Sequence, residues 1–199
     1  MFKSMLIIAT LLMLNGTLSA VETDPHAADR QSLLHVFREI EAGINDQDVE
    51  RMVAQMDRQA TVTWLNGEVS RGHDEIRAYY QRMVKGDQRI LNRYQTHAKV
   101  AARARFFADG QLAVADGTME DEFFPVSRAP FRLSSNWSST SAKIDGQWKV
   151  VSLHLSSNVF TNSLLAEAQE ALWLVGGCSA MAGLGLGVLA GRLWRRRQR

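Results

Sequence analysis

Apolar residues recur along this chain in two different periods, and the change of period divides it into helices followed by strands. Between residues 29 and 56 they recur at three- and four-residue spacing, which predicts two consecutive amphipathic helices. Asn45-Asp46-Gln47-Asp48 interrupts this pattern, and Asp48 is the expected N-cap of the second helix. A third helical stripe follows over residues 72–85. The first half of the chain therefore predicts three helices.

The second half shows the two-residue period of β-strands, as does a short earlier segment at 61–70. Asn66-Gly67, Asp109-Gly110 and Asp145-Gly146 are strong signals for tight hairpin turns. We expect strands over 94–107, with a bend at Ala101-Ala102, then over 111–124 and 131–144, and a last strand in the stretch 145–158 that begins with the Asp145-Gly146 turn. Two or three helices followed by such a meander predict an α+β fold, with the helices packed on one face of an antiparallel sheet.

The last strand carries the first candidate for ligand chemistry. Unbroken alternation puts Trp148, Val150, Ser152, His154 and Ser156 on one face of this strand. His154, Ser156 and Asn158 would then emerge together along one side, as part of a ligand pocket. The structural alternative is that His154 bonds a backbone group and Asn158 ends the strand.

Both ends of the chain resemble membrane-targeting segments. Residues 1–20 have a basic start, an apolar centre and a small residue at Ala20, which predicts a secretory signal peptide, with an uncleaved anchor as the alternative. Residues 171–193 are almost uncharged and are followed by a basic tail at 194–199, as in a transmembrane helix whose tail is cytoplasmic. A short stem, 161–170, joins this helix to a domain at 21–160. We expect a single-pass cell-membrane protein with its domain on the periplasmic or extracellular side.

Charge and cysteine content narrow the possible partners. The chain carries 23 basic and 21 acidic residues, but Lys3 and the five arginines from Arg192 onward lie at its ends. The remaining 17 basic residues against 21 acidic ones give the domain together with its stem, residues 21–170, a net charge of −4, which argues against nucleic-acid binding. The single cysteine, Cys178, lies in the predicted membrane helix, so the domain relies on its core without a disulfide.

Three segments together resemble one known superfamily. They are Asp46-Gln47-Asp48-Val49-Glu50 with the strand Ala60-Thr61-Val62-Thr63, the run from Gly67 to Tyr80, and Asp145-Gly146-Gln147-Trp148-Lys149-Val150-Val151. Their order and spacing resemble the NTF2-like superfamily, in particular its SnoaL-like and ketosteroid-isomerase-like branches. The resemblance covers roughly residues 29–160. It implies a cone formed by a curved sheet wrapped on three helices, with a mostly apolar cavity inside.

The resemblance does not carry the isomerase chemistry with it. At the positions where the isomerase-like pattern has a tyrosine and two carboxylic acids, this chain has Ile40, Trp64 and a residue near Thr140. A steroid-isomerase mechanism needs a base beside the substrate carbon and donors for the enolate oxygen. We therefore expect that activity to be absent.

The candidate ligand-binding residues combine aromatic side chains with the polar groups of two strands: Trp64, Tyr80, His97, Trp137, His154, Ser156 and Asn158. His154 and His97 are the weak candidates for acid–base catalysis. No recognisable metal-ligand spacing occurs, and the acidic run around Asp121 is expected to be solvated surface. We expect neither a metal nor a cofactor.

Three functions remain open. The first is an anchored domain that binds a small, partly apolar ligand or a protein partner in its cavity. The second is a SnoaL-like isomerase or cyclase that uses a histidine, and the third is a non-catalytic dimerisation scaffold. Small residues recur every four positions in the predicted membrane helix and favour a homodimer through close helix packing: Ser179, Gly183, Gly187 and Gly191.

Overall fold

The computed structural model describes residues 24–198, so the signal peptide predicted at 1–20 lies outside the described residues. The helices are α1 (Ala27–Asn45), α2 (Val49–Val53), α3 (Gly72–Tyr80) and α4 (Ser163–Arg197), and a π-helical turn, Gln81–Lys85, extends α3. The strands are β1 (Met56–Thr63), β2 (Val69–Arg71), β3 (Leu91–Val100), β4 (Arg105–Phe107), β5 (Leu112–Pro125), β6 (Phe131–Ile144) and β7 (Gln147–Ser157). The predicted α+β fold, with three N-terminal helices before a strand meander, is confirmed.

The strands form one curved sheet in the order β2-β1-β7-β6-β5-β3, with β4 paired to the start of β5. All neighbouring strands are antiparallel except β1 and β7, which run parallel. The connection from β1 to β7 passes through the rest of the domain, as a parallel pair requires. The strand β7 therefore lies inside the sheet, bonded on both sides.

The helix α1 packs its apolar stripe against the concave face of the sheet. Val36 is buried, and Leu33, Phe37, Ile40 and Ile44 pack on the same core cluster. After α1 ends at Asn45, the Asp48 side chain accepts hydrogen bonds from the backbone N–H groups of Glu50 and Arg51, as expected of an N-cap. Helix, cap and sheet together enclose the volume in which the candidate site lies.

Side chains at the C-terminal end of α1 cover the free edge of β3. The Asn45 amide accepts from Thr96 N–H and donates to Thr96 C=O, at 2.8 and 2.9 Å. Glu41 accepts from the Ala98 N–H at 2.8 Å, and Gln47 donates to the Asn92 C=O at 3.2 Å. These contacts satisfy backbone groups that would otherwise be open to another strand. They fix α1 against the edge of the cone.

The strand predicted over 94–107 is in fact two strands, β3 and β4. Ala101 still bonds to the Asp116 C=O, but the next residues leave the sheet before β4 pairs again with β5. The prediction of one continuous strand is therefore wrong, although the break lies where the bend was expected, at Ala101-Ala102. At the break, a Cβ on Gly117 would lie 1.9 Å from the Lys99 carbonyl oxygen and 2.7 Å from Trp137 Nε1. Only glycine allows these groups to approach so closely.

A β-bulge in β7 reverses the faces predicted for that strand. Ser141 pairs with Val150, and Thr140 pairs with Ser152, so Val151 is the extra residue. Trp148 and Val150 face inward, and after the bulge Leu153 and Leu155 face inward instead of Ser152 and His154. One extra residue moves every later side chain to the opposite face.

The far end of α1 is held by a charged cluster on the β6–β7 hairpin. The Asp29 carboxylate accepts from Lys143 Nζ at 2.7 Å and from Trp148 Nε1 at 2.9 Å. These two hydrogen bonds, of which the Lys143 bond is the stronger, hold the pKa of Asp29 below its ordinary value. The cluster anchors the first turn of α1 to the closing hairpin of the sheet.

The helix α4 leaves the domain at the end of β7. It runs for 35 residues without a buried residue and is long and apolar enough, by length and composition, to cross a membrane. Its first turns touch the domain: Ser163 Oγ donates to the Arg132 C=O, and Glu167 forms an ion pair with Arg128. Residues 163–170 of the predicted stem thus belong to the same continuous helix as the apolar segment.

Candidate functional site

A cavity of about 310 Å³ lies between the helices and the concave face of the sheet. Large apolar side chains of α1 form one wall, among them Leu33, Phe37 and Ile40. The facing wall of β5 and β6 carries small side chains: Ala113, Ala115, Ser139 and Ser141. The cavity exists because these inward positions of the sheet carry too few atoms to reach the helix. Ser139 and Ser141 also supply hydroxyl groups to an otherwise mostly apolar lining.

Stacked aromatic rings close one side of the cavity. Trp64 and Tyr79 lie parallel with ring centroids 4.1 Å apart, and Trp64 Nε1 donates to Ser70 Oγ at 2.8 Å. Burial raises the pKa of both Tyr79 and Tyr80 to about 12, with a smaller contribution from nearby carboxylates. Both phenols therefore stay protonated at neutral pH and act as neutral hydrogen-bonding groups rather than bases.

Trp137 forms the adjoining wall on β6. Its ring centroid is 5.4 Å from that of Phe37 on α1, and Nε1 donates to the Lys99 C=O at 3.3 Å. This second contact holds the indole over Gly117, where β3 ends. Trp64, Tyr80 and Trp137, three of the sequence-derived candidates, all line the same cavity. Their contact with a ligand stays a prediction.

The mouth of the cavity lies between α1 and the segment that joins β3 to β4. Among the lining residues, Leu34 and Val100 are 38% and 42% exposed, and Arg103 is exposed as well. Arg30 lines the same opening, where it bonds Asp24 at 2.7 Å and the Ala104 C=O. Two guanidinium groups therefore flank the entrance to an apolar chamber.

A buried polar network lies behind the cavity wall. Asp121 is only 1% exposed and accepts hydrogen bonds from the Tyr94 phenol, at 2.6 Å, and from the Ser135 hydroxyl. Burial, and then the Asp121 charge, raise the pKa of Tyr94 well above its ordinary value. Thr96 lies beside Tyr94, but its buried hydroxyl has no hydrogen-bond partner within residues 24–198.

The burial of Asp121 corrects the expectation that this acidic run is solvated surface. Its neighbours Glu120 and Glu122 do point outward and contact Ser134 and Arg132. Asp121 instead lies on the inward-facing side of this strand, together with Met119 and Phe123. The two-residue alternation of β5 is a signal that could have identified it from the sequence.

The polar candidates of β7 and β3 lie outside the cavity. His154 and Ser156 are on the exposed convex face of the sheet because of the bulge at Val151, so their expected placement in a pocket is wrong. Asn158 is exposed too, and its side chain accepts from the backbone N–H groups of Phe160 and Thr161, which fits the alternative of a strand-ending residue. The His97 ring is 73% exposed, with Nδ1 3.8 Å from Glu41.

The positions compared with the isomerase-like pattern offer no acid or base to the cavity. Ile40 and Trp64 line the cavity, whereas Thr140 lies on β6 outside the lining. Glu41 is the one carboxylate among the lining residues, and its Oε1 already accepts from the Ala98 N–H. Within residues 24–198 no three His, Cys, Asp or Glu side chains converge to hold a metal ion.

Known structures resemble this chain in fold. A putative scytalone dehydratase from Novosphingobium aromaticivorans has a TM-score of 0.57 at 14% identity over 68% of this chain and 87% of its own. A LinA-type3 hexachlorocyclohexane dehydrochlorinase from Novosphingobium barchaimii has a TM-score of 0.59 at 15% identity, over 68% of this chain and 90% of its own. A putative calcium/calmodulin-dependent protein kinase II association domain from Xanthomonas campestris has a TM-score of 0.52 at 13% identity, over 66% of this chain and 89% of its own.

The sequence itself adds no nearer relative, since no family model and no curated protein matches it. Identities of 15% or less show the fold alone. These structures match about two thirds of the chain, so the remaining third is long enough to include the helix α4. The element order, the curved sheet and the helix-covered cavity agree with these likenesses, and the chain has the NTF2-like cone fold.

Proposed function

We propose that this protein is a membrane-anchored, exported ligand-binding domain whose cone takes up a small, partly apolar molecule. The main observation that supports this proposal is the cavity of about 310 Å³. Well-packed interiors leave few voids larger than a water molecule, and ligand sites are apolar clefts of about 300–1,000 Å³ with a few polar groups. The hydroxyl groups of Ser139 and Ser141 and the arginines at the mouth would be those polar groups.

The side chains of the cavity support binding more than catalysis. No histidine is among its lining residues, and two of its tyrosines have pKa values near 12. General acid–base catalysis is most efficient when the pKa of the group lies near the working pH. The similar structures include proteins named as enzymes and one named as an association domain, so the fold leaves this choice to the site. The cavity therefore supports a binding function over a histidine-based isomerase or cyclase.

The anchoring half of the proposal rests on α4. An 18-residue window of this helix has a mean hydropathy of 1.8, and three arginines occupy its last turn. A helix of this kind with a basic end favours a span whose C-terminus is cytoplasmic. The domain would then lie on the exported side, which agrees with the signal peptide predicted for residues 1–20. The small-residue face from Ser179 to Gly191 is proposed to pair two such helices.

The cavity can be tested with a variant that fills it. Ala115 faces the cavity from β5, so Ala115→Phe would place a ring in the chamber, whereas Thr118→Phe adds the same ring on the exposed face. The full chain and both variants would be purified in polymer-bounded native lipid discs, without detergent that could enter the cavity. Solvent extraction and mass spectrometry would then identify small molecules that co-purify in stoichiometric amount.

We expect one class of molecule with the wild type and with Thr118→Phe, and its loss with Ala115→Phe. Melting curves would show that each variant is folded before its extract is compared. The binding proposal fails if wild type and Ala115→Phe carry the same molecules in the same amount. It also fails if the wild type carries none and a panel of apolar compounds does not raise its melting temperature.

A further inference from the structure

The most exposed large apolar side chains of the domain gather at one end. Within residues 24–162 the four highest exposures are those of Ile90 at 53%, Val126 at 56%, Val159 at 70% and Phe160 at 83%. Val126 N–H bonds to the Ile90 C=O, so these two lie side by side where β3 begins and β5 ends. Val159 and Phe160 follow the end of β7. Apolar groups concentrated at one surface indicate a contact that covers them.

This end is the one from which α4 leaves the domain. The β5–β6 loop is tied to α4 by the ion pair of Arg128 with Glu167, and Ser163 bonds to the Arg132 C=O. We call the surface formed by residues 85–93, 125–132 and 158–162 the rim. Because the rim and the first turns of α4 are in direct contact, the direction in which α4 runs fixes what the rim faces.

The rim carries a charge opposite to that of its domain. Its segments contain Lys85, Arg89, Arg93, Arg128 and Arg132 against the single acid Asp87, while residues 21–170 as a whole have a net charge of −4. Glu167 on α4 and Glu122 on β5 pair with two of these arginines. Arg93 lies over the Phe124 ring, 4.0 Å from its centroid, and Arg89 bonds Asn92, so neither is in an ion pair within residues 24–198.

The depth of the rim follows from helix geometry. Glu167 precedes Ala171, where the apolar segment begins, by four residues, which is about 6 Å along a helix that rises 1.5 Å per residue. The headgroup layer on each side of a bilayer is about 5–8 Å thick. Arg128, paired with Glu167, would therefore lie at the level of the lipid phosphates, and Val126 lies two residues from it on the same β5–β6 loop.

We propose that the rim docks on the outer surface of the bilayer that α4 enters, with Val126 among the headgroups and the arginines on lipid phosphates. This inference rests on the proposed membrane anchoring and adds a fixed orientation to it. Arginine binds phosphate through paired charge-assisted hydrogen bonds, and basic groups near an anionic leaflet contribute favourably to docking. The domain would sit on the membrane instead of moving freely above it.

The test uses the full chain in nanodiscs of phosphatidylcholine and phosphatidylglycerol with nitroxide-labelled lipids. The native Cys178, labelled with a fluorophore, reports whether α4 is in the acyl region. In a Cys178→Ala background, Val126→Cys reports on the rim, and Phe107→Cys is the matched control. Phe107 is 51% exposed and pairs with Leu112 at the opposite end of β5. Headgroup nitroxides should quench the label at residue 126 but not the one at residue 107.

A second pair of variants tests the charge. Arg89→Glu with Arg93→Glu should weaken docking by roughly fivefold for each arginine lost, measured as the quenched fraction at residue 126, and Arg105→Glu at the far end should not. Quenching at Cys178 without quenching at 126 would overturn the rim and leave the anchor standing. No quenching at any of the three sites would overturn the anchor together with the rim. Equal quenching at 126 and 107 would also overturn the rim, because docking would then lack an orientation.

Discussion

Replacing Tyr94 by phenylalanine tests whether the buried network behind the cavity stabilises the cone. The substitution keeps the ring and removes the hydroxyl that donates to Asp121 at 2.6 Å. Asp121 is 1% exposed, so water cannot replace the lost donor, and within residues 24–198 the Ser135 hydroxyl is the side-chain donor that remains. Leaving a buried group short of a partner costs about 1–3 kcal/mol of unfolding free energy. For a domain of this size, a loss of about 2 kcal/mol lowers the melting temperature by roughly 6–10 °C.

The matched control is Tyr80→Phe, which removes a hydroxyl from a second tyrosine of the same cavity wall. The only hydrogen bond of this hydroxyl within the described residues is a long one, 3.4 Å to the Ile44 C=O, so we expect a change within about 0.5 kcal/mol. Differential scanning calorimetry of the full chain in lipid discs would measure both variants. Adding Asp121→Asn to Tyr94→Phe removes the unpaired charge and should recover part of the loss. Equal stability of the two tyrosine variants would refute this account of the network.

Two further changes have outcomes set by local geometry. The pKa of Asp29 is depressed in the folded state, so its stabilising effect is present above the unfolded pKa of about 3.9 and is lost as the pH falls through the lower folded pKa. Asp29→Asn should therefore have a lower melting temperature than the wild type at pH 7 and the same melting temperature at the most acidic pH. A difference that stays constant with pH would contradict this. Gly117→Ala would place a Cβ 1.9 Å from the Lys99 carbonyl oxygen, so we expect the free energy of unfolding, measured in urea, to fall by about 3 kcal/mol or more. A fall of less than about 1 kcal/mol would show that the strands separate easily.

The general fold could be predicted because its signals are local. The helical stripe of α1, the N-cap at Asp48 and the Asn-Gly and Asp-Gly turns each depend on a few neighbouring residues, and the meander follows from them. Trp64 and Trp137 were expected at the cavity for the same reason, since large aromatic residues on regular elements are usually buried.

The polar part of the site could not be predicted because it depends on pairing between distant strands. The bulge at Val151 is set by the simultaneous registers of β7 with β1 and β6, and no short pattern in the sequence marks it. Unbroken alternation therefore placed His154 and Ser156 inside when they lie outside. The cavity itself depends on which face of β5 carries Ala113 and Ala115, and this too is decided by register.

The positions of the mouth and the rim bear on how a ligand would reach the cavity. Val100, at the mouth, pairs with Gly117, whereas Leu91, in the rim, pairs with Pro125. These partners on β5 are eight residues apart, which is about 26 Å along an extended strand. With the rim on the bilayer, the mouth would open toward water and away from the lipid. A ligand would then enter from the aqueous side past Arg30 and Arg103, which favours a molecule with an apolar body and an acidic group over a neutral membrane lipid.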